Sequence, residues 1–216
     1  MGIDLATSYG WAVEELGRDR TVAESMNSLI DRLEAARPHP DWASLRSLPY
    51  SDLTPVVAWL RRTFSHYSPE TPLKGLWFGI FNPCRGNEVA SDMYVCGAER
   101  FVADPHNNSW ATGPSWLPDA PDAESEVLAG IYRIAYRRTG DQSESLGNDA
   151  EYPLCLAYAT LAVRDTLRQL EPAIILGRSE SLGIAIGFDE GDFVLLGTLT
   201  KAGLELYKGL SPGGSR

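Results

Sequence analysis

The clearest hydrophobic periodicity begins at Thr21-Val22-Ala23-Glu24, where a hydroxyl residue at the N-cap and a carboxylate three residues on form a capping box. Val22, Met26, Leu29, Ile30 and Leu33 then recur at helical spacing, so a helix is predicted to about residue 36, short of Pro38 and Pro40. Thr54 ahead of Pro55 opens a second helix, with Val56, Val57, Leu60 and Phe64 on its buried side. A third is placed at about 123–138, where Leu128, Ile131, Tyr132 and Ala135 form one stripe and Arg137-Arg138 sit in the last turn. A fourth opens at Pro153 and is apolar around most of its circumference over 154–167, the mark of a central helix.

The pattern between these helices is different. Segments 76–81 and 93–102 are short, rich in aromatic and β-branched residues, and separated by the turn formers Arg85-Gly86-Asn87-Glu88, which predicts a β-hairpin. Past Pro172 three strands are predicted, at 173–176, 182–188 and 193–199, with Asp189-Glu190-Gly191-Asp192 as the tight connection between the last two. A short helix over 202–207 and a frayed tail at 210–216 complete the reading. Two helices, two strands, two helices and three strands suit an α+β fold: a mainly antiparallel sheet of about five strands with four helices packed on it, in a single domain over 1–209.

Composition narrows the function classes. A 216-residue chain with 44% hydrophobic and 22% charged residues is that of a globular protein. The first twenty residues lack the basic start and apolar run of a secretory signal, and no stretch approaches the eighteen or so apolar residues that cross a bilayer, so a cytoplasmic protein is expected, off the membrane. The net charge of −10 offers no basic surface for phosphate backbones, so nucleic acid is not an expected partner. The acid is concentrated at 118–126, 139–151 and 189–192, where it can steer a basic partner into contact.

Candidate chemistry is sparse. Three cysteines, Cys84, Cys96 and Cys155, form no CxxC pair and are read as free thiols. A hairpin turning at Gly86-Asn87 keeps Cys84 and Cys96 out of opposition and makes Trp77, Phe78, Phe81 and Tyr94 packing material for its two faces. His39, His66 and His106 fall at no metal-ligand spacing, and the glycines near 183–197 form neither GxGxxG nor a Walker loop, so neither a metal ion nor a cofactor is expected. Asp189, Glu190 and Asp192 read as turn chemistry rather than a cation site. A nucleophilic thiol would need a base and a depressed pKa. The alternative reading, a small hydrolase or transferase, therefore assembles Cys96, His106 and one of Asp104 or Asp92.

The long irregular segment 104–121 carries Trp110 and Trp116, which either pin it to the core or present a binding face. "GLWFGIFNP", "MYVCGAERF", "NNSWATGPSWLPD" and "LCLAYATLAVRDTLRQL" follow one another in a layout that resembles small bacterial domains of unknown function, some of them immunity proteins of polymorphic toxin systems. That resemblance, spanning about 73–170, implies an α+β cytoplasmic protein without a catalytic constellation. The leading expectation is a non-catalytic acidic protein that occludes a basic partner such as a toxin, through Trp110, Trp116, Asp119, Asp122, Glu124 and Glu126.

Overall fold

A computed structural model describes residues 2–85, 88–89, 91–137, 145–189 and 191–207, with the backbone alone at 84–85 and 88–89. The expected capping box forms: Thr21 Oγ1 accepts from the Glu24 N–H while the Glu24 carboxylate accepts from the Thr21 N–H, and α2 runs Val22–Ala36. Pro55 lies in the first turn of α4, Thr54–His66. Two further helices form, α1 at Leu5–Leu16 ahead of α2 and α3 at Asp41–Arg46 between α2 and α4. Asp4 caps α1 by accepting from the Thr7 N–H at 2.8 Å.

The third expected helix is α5, Glu126–Ala135, and it starts later than 123 because Ser125 is its N-cap. Its expected end at Arg138 lies outside the described residues. The central helix α6, Asn148–Gln169, begins five residues before the Pro153 expected to open it, because Gly147 turns the chain and Pro153 is carried inside the helix.

A five-stranded sheet has the order β4-β1-β5-β6-β7, with β1 Gly75–Phe81, β4 Asp92–Ala98, β5 Ser181–Phe188, β6 Phe193–Thr200 and β7 Gly203–Leu206. All neighbours are antiparallel except the central pair β1 and β5, which is parallel. The class is therefore α+β with a mostly antiparallel sheet, and the described residues form seven α-helices rather than four. The hairpin register holds: Phe81 faces Asp92, and past it the short strands β2 (Cys84–Arg85) and β3 (Glu88–Val89) pair Cys84 with Val89, while Cys96 faces Trp77. The turn residues Gly86-Asn87, like Glu190 and the tail at 210–216, lie outside the described residues.

Two elements are corrected. Segment 173–176 is not a strand but α7, Pro172–Leu176, with Pro172 in its first turn and Gly177 ending it at φ 52°; a four-residue apolar run is ambiguous, and the flanking Pro and Gly decide it. Segment 202–207 is not a helix but contains β7, folded back on β6 so that Thr200 faces Gly203 and Gly197 faces Leu206.

Helices cover one face of the sheet, enclosing a core that includes Met26, Trp42, Leu60, Phe78, Leu161 and Ile186. Where α1 turns into α2, the buried Glu15 receives Arg18 at 3.0 Å, Arg20 at 3.5 Å and the Ser28 hydroxyl at 3.0 Å. From α6, the buried Arg164 donates to the carbonyls of Leu16 (3.2 Å) and Arg20 (3.0 Å) and to Asp165 (2.7 Å). The opposite sheet face carries a smaller cluster of Trp77, Cys96, Ala185, Phe193 and Leu195, closed by Trp110 with Phe101 packed against it. Gly183 permits this: a Cβ there would lie 2.2 Å from the Phe101 ring.

Candidate functional site

Segment 116–123 forms a strap along the outer edge of β4. It is bonded at both ends, by Gly97 and Trp116 exchanging N–H to C=O bonds at 2.8 and 3.0 Å, and by Met93 and Ala123 at 3.4 and 2.7 Å. Between these rungs residues 117–122 arch over only Tyr94, Val95 and Cys96 of β4. Two tryptophans fix the arch from beneath. The Trp116 ring packs on Phe64 at 5.0 Å and its indole N–H donates to the Tyr67 carbonyl at 2.8 Å. The Trp59 indole N–H donates to the Pro121 carbonyl at 2.9 Å.

The residues singled out in the sequence are distributed as follows. Trp116 is half-buried, and Trp110 is buried against Phe101 (4.8 Å) and Trp77 (6.4 Å) on the opposite sheet face. Both rings therefore pin the long segment, and what the strap turns outward is Leu117, 66% exposed, with Asp119, Asp122, Glu124 and Glu126 exposed along and just beyond it. Glu126 also opens α5, where the helix dipole favours a carboxylate. Neither Leu117 nor Trp59 stands out in the sequence; the one available signal was an apolar residue directly after a tryptophan in a Pro- and Asp-rich run.

Cys96 points into the small aromatic cluster, 3% exposed, and burial together with the Asp189 charge pushes its thiol up to about 12. Reactive thiols need the opposite shift. His106 lies exposed in the loop, its backbone N–H bonded to Asp104 Oδ1 at 2.9 Å, and among the described residues no hydrogen bond or ion pair joins Cys96 to either. Asp92 is buried at the start of β4, across from Phe81. Cys155 is fully buried in α6, which raises its thiol well above the ordinary range. Cys96 and Cys155 are both free.

At the β5–β6 connection two tyrosines hold the carboxylates: Tyr94 donates to Asp189 at 2.7 Å and Tyr152 to Asp192 at 2.5 Å. Among the described residues no three His, Cys, Asp or Glu side chains gather as a metal site would require, and no helix is long and apolar enough to cross a membrane. The chain matches no protein-family model, no curated protein and no solved structure.

Proposed function

We propose that the chain is a non-catalytic acidic binding protein that occludes a basic protein partner in a one-to-one complex, an immunity protein against a bacterial toxin being the instance its resemblance suggests. The strap is the observation that carries this reading. It holds an exposed Leu117 among exposed Asp119, Asp122, Glu124 and Glu126 on a frame tied at both ends and from beneath. A preformed apolar contact ringed by charge binds with little ordering cost, and the acids speed encounter with a basic surface.

The test is recovery from the native cell, at low salt, of one basic partner in equimolar amount. Salt should weaken the complex by slowing association, since exposed charges are screened beyond about 10 Å at 0.1 M. Leu117→Asp should weaken it by about 2 kcal/mol, or roughly 30-fold. Failure to recover a partner in a sensitive experiment, or a complex indifferent to both salt and Leu117→Asp, overturns the reading.

A further inference from the structure

The outer edge of β4 contains one unmade rung. Met93 and Gly97 direct their N–H and C=O groups outward to the strap, and by the two-residue alternation of a strand Val95 directs its pair the same way. There the strap bows off, and among the described residues no hydrogen bond from it meets the Val95 N–H or C=O, although the residue is only 2% exposed. The bow borders a half-open cavity of about 200 Å3 between β4, α4 and the strap, with Trp59, Thr63, Val95, Leu117 and Pro121 among its walls. Thr63, 1% exposed, has a hydroxyl without a partner. Helical threonines commonly bond the carbonyl four residues back, and this one does not.

Buried backbone groups are nearly always paired, so one donor and one acceptor side by side in a cavity mark the place of a group that carries both. We propose that the arch is a binding site for a neutral carboxamide, the side chain of an Asn or Gln on the protein partner inferred above, and to that extent the proposal rests on that reading. The carboxamide oxygen accepts from the Val95 N–H, one of its N–H groups donates to the Val95 carbonyl, and the other reaches the Thr63 hydroxyl.

Other occupants match the walls less well. A through-running strand is blocked because the strap bonds β4 on both sides of the gap. A carboxylate would set negative charge against the Val95 carbonyl in a cavity whose described walls include the acid Asp122 and no Lys, Arg or His. An ammonium leaves the Val95 N–H unmet, and an alkyl group leaves all three polar groups unmet. The volume is below the roughly 300–1,000 Å3 of a drug-sized pocket and suits one side chain. Leu117 at its rim supplies the apolar contact beside it.

The experiment titrates the 15N-labelled chain with N-acetylglutamine N-methylamide and, as controls, the same blocked derivatives of glutamate and norleucine, following the Val95 amide by NMR. The glutamine derivative should move that resonance saturably, the controls should not, and Thr63→Val should weaken the apparent affinity about five-fold. Ala120→Leu, which adds bulk to the cavity wall, should abolish the titration while the rest of the spectrum keeps its native dispersion. A Val95 amide that does not move, or that moves alike with all three derivatives, overturns the site and leaves the cavity to ordered water only. That result leaves the partner-binding reading standing, whereas absence of a partner from the native cell with the titration intact overturns the partner reading alone.

Discussion

Replacing Arg164 by Met should open the N-terminal corner of the molecule. The guanidinium is 1% exposed and is the group from α6 that donates to the carbonyls of Leu16 and Arg20, at the end of α1 and just before α2. Removing it leaves those two acceptors unpaired, at about 1–3 kcal/mol each. Asp165 keeps Arg168 at 3.5 Å and is 21% exposed, so it adds little. Methionine fills part of the vacated space, offsetting roughly 1 kcal/mol. The expected loss is about 3 kcal/mol, a large share of the roughly 5–15 kcal/mol that holds a domain folded. Urea unfolding followed by circular dichroism should show a midpoint lowered by about 1–1.5 M at an m value near 2–3 kcal/mol/M. Hydrogen exchange should place the new opening in α1 and the first turn of α2. Arg164→Lys should recover only part of the loss, because an ammonium lacks the planar fork that serves both carbonyls and Asp165. A loss below about 1 kcal/mol, or an opening centred on α4 or the strap, would falsify the assignment of this arginine as the clasp of the corner.

Three further outcomes follow from single sites. Burial raises the Glu151 carboxyl above the ordinary carboxylate range, opposed by a hydrogen bond with Asn82. A raised folded pKa contributes stability that is full below the unfolded value and is lost as pH rises through the folded one, so Glu151→Gln should gain on the parent in urea midpoint as pH rises above the ordinary carboxylate range. Iodoacetamide should label Cys96 and Cys155 in native protein at rates far below that of an exposed thiol, with no plateau below pH 7 at Cys96 by site-resolved mass spectrometry; a fast, acid-shifted Cys96 would restore the cysteine-enzyme reading. Gly183→Ala drives a Cβ to 2.2 Å from Phe101 and should cost about 1–3 kcal/mol by thermal unfolding, with the loop holding Trp110 displaced.

What the sequence disclosed, and what it hid, divides along physical lines. The hairpin register was legible because a turn former at a fixed place sets every pairing down both strands, from Cys84 with Val89 to Gly75 with Ala98. The hidden helix α1 buries Ser8, Gly10, Ala12 and Glu15 beside Val13 and Leu16, so small and polar residues on its inner face erase the periodicity. Helix α3, at six residues, is too short to show a period. The tryptophans at 110 and 116 drew attention as large rings in a polar loop, but their burial depends on partners, Phe101 and Phe64, that only the fold brings beside them. The strap itself rests on two isolated bridges seven residues apart, Trp116 to Ala123, a spacing that carries no sequence period. The unpaired Thr63 hydroxyl exists only as a relation among three chain segments.

The parallel pairing at the centre of the sheet bears on how the chain comes off the ribosome. Gly75 of β1 lies beside Gly183 of β5, 108 residues later, and the long helix α6 must be made in between. At roughly 5–20 residues per second, the β1–β4 hairpin waits on the order of 5–20 s with the inner edge of β1, a run of GLWFGIF, unpaired. Bare apolar edges of that kind template aggregation. Chains truncated between α6 and β5 should therefore aggregate rather than persist as soluble fragments, and synthesis of the full chain should gain from a chaperone that shields β1 until its last neighbour emerges.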